Sequence, residues 1–242
     1  MKIYAHLALT QNESMALKAK VSNHTLLIGQ DLDPKERKGA FHTCDIALGN
    51  VPSDWIKSSG KLRWMQLEST GFGSYLWLRD SPLKEKLRVT YLKGMFGIPV
   101  AETIVAGVLC LYRGLDRLVN LQAKKQWMLA PIRPTLRILH GQRVLIAGAG
   151  AIGSHAKTLF EGFGCEVTTL GRKGGSGDID SMEAFDHLLP LVDVVVSCLP
   201  ATPQTNQLFD KARFNLFKPD AIFVNVGRGS AVDETALIEA LQ

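Results

Sequence analysis

At 242 residues the chain is longer than one ordinary domain of about 100 to 200 residues, so two units are expected, and with 46% apolar residues but no run of about 20 in a row it predicts a globular protein without a membrane partner. The formal net charge of +5 carries no basic run interleaved with aromatics, which argues against a nucleic-acid partner and suits small anionic substrates. Cys44, Cys110, Cys165 and Cys198 are scattered without a Cys-x-x-Cys pair or a histidine at ligand spacing, so neither a metal site nor a disulfide frame is expected.

The opening MKIYAHLALT reads as a first strand rather than a signal peptide, which predicts a cytoplasmic protein. KIYAHLAL, TLLIGQ, DIALGN, LRWMQL and LRVTYL follow one another as strands, with NESMALKAK as a helix between the first two. Strands alternating with helices predict an α/β fold, a parallel sheet covered on both faces. From Pro99 the pattern changes. PVAETIVAGVLCLYRGLDRLVNLQAKKQW carries Ile104, Val108, Leu111, Tyr112 and Leu115 at helical spacing, which predicts one long helix with a buried stripe. APIRPTLRILHG then reads as a connector into a new unit.

In RVLIAGAGAIGSHAKTLFEGFGCEVTTLGRKGG the glycines Gly148, Gly150 and Gly153 form G-x-G-x-x-G between an apolar strand and an amphipathic helix that runs to Gly164, and a second strand follows. That context predicts a Rossmann-type dinucleotide site. Gly148 makes the tight turn, Gly150 admits a pyrophosphate close to the backbone, and Gly153 lets the helix lie against its strand. The free N–H groups opening the helix, at Ala151 and Ile152, face the phosphate charge. Where an NAD site offers a carboxylate to the ribose, this chain has Gly171, Arg172 and Lys173. A carboxylate at ~4 Å would repel a 2′-phosphate by about 4 kcal/mol at an effective dielectric of ~20, whereas a guanidinium bonds it, so NADP(H) is expected over NAD(H). The alternative is a solvated basic turn.

The order of these motifs, with VDVVVSCLPATPQTNQLFD and FKPDAIFVNVGRGSAVDETALIEAL, resembles the D-isomer-specific 2-hydroxyacid dehydrogenases from about residue 60 to the end. The resemblance implies a doubly wound Rossmann-type cofactor domain over 99–242 and a second, flavodoxin-like α/β substrate domain over 1–98. It implies that the amides around Thr70, Gly71 and Phe72 receive the substrate carboxylate, although Gly73 stands where the family often has Asp. It implies that Leu199, Pro200 and Thr205 pass beside the nicotinamide and its ribose, with Val226 and Gly227 also lining the cofactor, and that Arg228 orients a 2-keto acid. The alternative for Arg228 is a surface salt bridge. A homodimer formed through the helix from Val100 is implied as well.

The family's acid/base histidine and its glutamate partner lie downstream of the arginine segment, and none of His6, His24, His42, His140, His155 and His187 sits in a matching segment. His155 reads as a surface or capping residue on the phosphate helix and His187 as part of a helix face. The doubly wound pattern also needs strands after DETALIEAL, so a fragment or truncated product of a longer dehydrogenase is expected, its sheet incomplete at the C-terminus. The expected activity is hydride transfer between NADPH and a small 2-keto or 2-hydroxy acid such as glyoxylate or hydroxypyruvate. The alternatives are a non-catalytic dinucleotide-binding or corepressor-like relative, and an NAD-dependent phosphoglycerate dehydrogenase-like enzyme.

Overall fold

The computed structural model describes residues 1–128 and 130–242, which separate into two compact units, Met1–Met95 and Phe96–Gln242. The first unit runs β1 (Lys2–His6), α1 (Gln11–Lys20), β2 (Thr25–Ile28), α2 (Arg37–His42), β3 (Ile46–Gly49), α3 (Ser53–Lys57), β4 (Trp64–Gln66) and β5 (Arg88–Thr90). Its five strands are all parallel in the order β2-β1-β3-β4-β5, the flavodoxin-like arrangement, with a reversal of direction between β1 and β3. Tyr4, Ala47 and Met65 project from neighbouring strands into one apolar cluster with Phe41, Ile56 and Leu67. α1 starts on a capping box. Thr10 Oγ1 accepts from the Glu13 N–H at 3.3 Å and Glu13 Oε2 accepts from the Thr10 N–H at 2.8 Å, which satisfies donors that a helix start leaves open.

The second unit opens with α4 (Gly97–Tyr112) and α5 (Leu115–Ala123). The single long helix expected from the periodicity is therefore two helices, bent by 69°. The cause is Gly114, whose φ of 61° lies in the left-handed region that ends helices. The predicted stripe divides at the same place: Ile104, Val108 and Tyr112 are buried, whereas Leu111 and Leu115 are about half exposed at 52% and 48%.

The chain continues through β6 (Arg143–Ala147), α6 (Ala151–Gly162), β7 (Glu166–Leu170), α7 (Met182–Leu188), β8 (Val194–Ser197), α8 (Lys211–Phe214), β9 (Ile222–Asn225) and α9 (Glu234–Ala240). The four strands are parallel in the order β7-β6-β8-β9. A single parallel bridge between Leu170 and Ile179 adds the stub of one more strand outside β7. Alternate residues serve opposite faces. Val144, Ile146, Val194 and Val196 pack with Ile104, Val108, Ala156 and Phe160 from α4 and α6, and Leu145, Ala147 and Val195 pack with Phe185, Phe214 and Ala236 from α7, α8 and α9. Burial on both faces explains why β6 and β8 read as apolar runs. α6 ends in a Schellman motif: Gly164, at φ 78°, donates to the Glu161 carbonyl at 2.9 Å, and Cys165 donates to that of Phe160 at 3.1 Å. Among the described residues no single helix is long and apolar enough to cross a membrane, and no group of three or more His, Cys, Asp or Glu side chains is placed to hold a metal ion.

Candidate dinucleotide and keto-acid site

The register Leu170–Ala147–Ser197–Asn225 lies in one row across the second sheet. Each segment that leaves this row at a carboxyl end therefore starts at the same sheet edge: 148–153, 171–177, 198–205 and 226–228. In open α/β sheets this is the edge at which ligands bind.

The Gly-rich turn is built for close approach. Gly148 sits at φ 116°, and its N–H donates to the Leu170 carbonyl at 2.9 Å. A Cβ there would lie 3.2 Å from the Cys198 carbonyl oxygen. At Gly153 a Cβ would fall onto the Gly148 carbonyl, so any larger residue lifts α6 off the turn. Gly150 is the N-cap and faces open space. No side chain caps α6, and the N–H groups of Ala151, Ile152 and Gly153 have no protein acceptor among the described residues. Together with the positive end of the helix dipole, these donors fit a pyrophosphate.

Past β7, Gly171 donates to the Ile179 carbonyl at 2.8 Å, and Arg172 and Lys173 stand exposed, neither in a salt bridge among the described residues. Past β8, the Thr205 hydroxyl is occupied within its own turn, accepting from the Thr202 N–H at 2.9 Å and donating to the Pro200 carbonyl at 2.6 Å. Its geometric role is to shape the loop that carries Leu199 and Pro200. The neighbouring Cys198 thiol is pushed up to about 12 by burial, so it stays protonated at neutral pH.

Past β9, the Val226 and Gly227 N–H groups both donate to the Ser197 carbonyl, at 3.0 and 3.1 Å. Gly227 runs so close to the segment that follows β8 that a Cβ would lie 2.5 Å from the Leu199 oxygen. Arg228 is exposed, forms no salt bridge among the described residues, and donates only to the carbonyl of Gly227, at 2.7 Å. Asn225 holds this turn from both ends: its Oδ1 accepts from the Gly227 N–H at 3.1 Å and its Nδ2 donates to the Arg228 carbonyl at 3.0 Å. The sequence reading missed Asn225. The signal was present, because an Asn two residues before a glycine favours an Asx turn.

In the first unit, Thr70, Gly71 and Phe72 follow β4 at the carboxyl edge of that sheet. The N–H groups of all three have no protein acceptor among the described residues. Ser69 braces the loop by donating to the Gly71 carbonyl at 2.7 Å, and the Phe72 ring rests against Tyr91 at 5.2 Å. His155 is exposed on α6 and lies beside Gly97, and His187 is exposed on α7.

Known proteins share this fold. Residues 105–242 match the family model described as "D-isomer specific 2-hydroxyacid dehydrogenase, NAD binding domain". The chain is 29% identical over 239 residues to a glyoxylate/hydroxypyruvate reductase B of Enterobacter sp. (strain 638), covering 93% of this chain and 73% of that protein. It is 30% identical over 200 residues to the protein of the same name from Shigella boydii serotype 4 (strain Sb227), covering 80% of this chain but only 61% of the relative. A solved D-isomer specific 2-hydroxyacid dehydrogenase family protein from Aeromonas salmonicida subsp. salmonicida A449 superposes with a TM-score of 0.82 at 28% identity, over 99% of this chain and 77% of that one. With an NAD-binding domain shared along more than half its length, the chain belongs to the D-isomer-specific 2-hydroxyacid dehydrogenase family.

Proposed function

We propose that the protein transfers a hydride between NADPH and a small 2-keto acid of the glyoxylate or hydroxypyruvate class. The observation that carries this reading is Arg228, an exposed guanidinium without a carboxylate partner among the described residues, on a segment that leaves the same sheet edge as the Gly-rich turn. A 2-keto acid sets a carboxylate beside a carbonyl, and a planar fork of donors orients both. In this reading the N–H groups of Ala151, Ile152 and Gly153 hold the pyrophosphate, Leu199 and Pro200 flank the nicotinamide ring, and Val226 and Gly227 complete its wall. The free amides of Thr70, Gly71 and Phe72 receive the substrate carboxylate. The bound nicotinamide supplies the hydride chemistry, while these residues bind, orient and exclude water. Names of relatives support the substrate class. Turnover of glyoxylate or hydroxypyruvate with NADPH tests the reading. Tight cofactor binding without turnover of any small 2-keto acid would favour a dinucleotide-binding protein instead.

Preference for the phosphorylated cofactor follows from Arg172 and Lys173. By fluorescence titration NADPH is expected to bind at least about tenfold more tightly than NADH, since one charge-assisted contact is worth roughly 1.5 to 3 kcal/mol. Equal or tighter binding of NADH would overturn it.

The proposed partner is a second copy of the chain, seated on α5. This helix buries none of its residues; Leu115 and Val119 are 48% and 60% exposed, and with Trp127 at 86% and Met128 at 51% they border a cavity of about 570 Å³. Contiguous apolar surface of this kind marks interaction sites. Sedimentation is expected to show a dimer, and Val119→Glu to shift it to monomer. A wild-type monomer at tens of micromolar would exclude the contact.

A further inference from the structure

We propose that Asp178 is the positioning residue for cofactor selection, a latch that fixes the 171–177 loop so that Arg172 and Lys173 face the ribose phosphate; the inference rests on the NADPH reading above. The loop closes on itself at a neck. Gly171 and Gly177 pass so close that a Cβ on Gly171 would lie 2.5 Å from the Gly177 nitrogen, and neither position admits a side chain without parting the two strands of the neck. The Gly171 N–H to Ile179 carbonyl bond at 2.8 Å and the Ile179 N–H to Thr169 carbonyl bond at 3.0 Å secure its base. Beside the neck, Ser176 Oγ donates to the Ala149 carbonyl at 3.3 Å, which ties the loop to the Gly-rich turn.

Asp178 follows the neck directly and joins three elements. Its Oδ2 accepts from the Thr169 N–H at 2.8 Å and the Thr169 hydroxyl at 2.7 Å, at the end of β7, and Lys157 on α6 donates to both carboxylate oxygens at 2.8 Å. The Asp178 N–H returns a bond to Thr169 Oγ1 at 3.2 Å. Lys157 first, then Thr169, hold this carboxyl below the usual carboxylate range against the opposing effect of burial, so the latch is ionised at neutral pH. Half-exposed ion pairs contribute little to stability, and the consequence here is one of position. The Asp178 carboxylate is turned toward α6 and neutralised, while the Arg172 and Lys173 side chains have no hydrogen-bond or salt-bridge partner among the described residues. Asp180, the other carboxylate of this segment, accepts a long bond of 3.4 Å from the Gly174 N–H across the loop.

The test is a pair of dissociation constants, for NADPH and for NADH, measured by fluorescence on the full chain and on Asp178→Asn and Lys157→Met, with a thermal midpoint for each. Loosening the latch is expected to weaken NADPH by about tenfold and NADH by much less, so that the ratio falls in both variants. A purely structural role would weaken both cofactors together and leave the ratio alone. Lys157→Met keeps both Thr169 bonds, so it reports even where Asp178→Asn fails to fold. A wild-type preference for NADPH that survives both substitutions overturns the latch and spares the NADPH reading. A wild-type chain with no preference removes that reading and the latch together.

Discussion

Replacing Arg228 by methionine is expected to weaken glyoxylate binding to the NADP⁺-saturated chain by roughly 10- to 150-fold, the equivalent of the 1.5 to 3 kcal/mol of a hydrogen-bonded charge. Cofactor affinity and thermal midpoint should stay put. Among the described residues the Arg228 guanidinium donates only to its neighbour's carbonyl, and exposed substitutions of that kind usually change stability by less than about 0.5 kcal/mol. Arg228→Lys should recover only part of the loss, because an ammonium keeps the charge and loses the fork. Calorimetric titration separates the cases. Unchanged keto-acid affinity in Arg228→Met would remove the substrate role and leave the guanidinium as a surface charge.

A second large effect is expected at Gly153. Its Cβ would meet the Gly148 carbonyl, which is backbone and has nowhere to go, so Gly153→Val forces α6 away from the turn. Such overpacking costs about 1 to 3 kcal/mol, or about 3 to 10 °C in thermal midpoint for a unit of this size. The dinucleotide should suffer more than the fold, with affinity reduced by more than about a hundredfold, because the displaced N–H groups are the ones proposed to hold the pyrophosphate. Gly162→Ala is the control: the same helix, an open position, and an expected change of no more than about 1 kcal/mol, in the stabilising direction. Wild-type affinity in Gly153→Val would show that the phosphate does not sit at the start of α6.

The Gly-rich turn was legible because its requirements are local. Three glycines, a preceding apolar strand and a following amphipathic helix lie within about twenty residues, and Gly148 and Gly153 each answer a backbone constraint the structure shows. The central strands of the second sheet were legible for a related reason, since β6 and β8 are buried on both faces and such strands must be apolar. The break after Tyr112 was not legible, because Ile104, Val108, Leu111, Tyr112 and Leu115 keep helical spacing straight across it and only a tertiary context puts Gly114 in the left-handed region. Short helices such as α2 and α3 present too few turns for a periodicity to register. The latch at Asp178 was invisible for a deeper reason: its partners lie nine and 21 residues away, on elements whose pairing only the fold creates. At Arg228 the sequence suggested the residue, and the structure added Asn225, which holds the backbone turn that carries it.

The bend at Gly114 sets a limit on straightness. An unbroken helix from Gly97 to Ala123 would run for roughly 40 Å at about 1.5 Å per residue, more than the roughly 30 Å of hydrocarbon in a bilayer. α4 by itself, at 16 residues, reaches only about 24 Å. One left-handed glycine therefore keeps the most apolar helix of the chain to a length that a four-stranded sheet can shelter, and turns the remainder aside to present its apolar side outward.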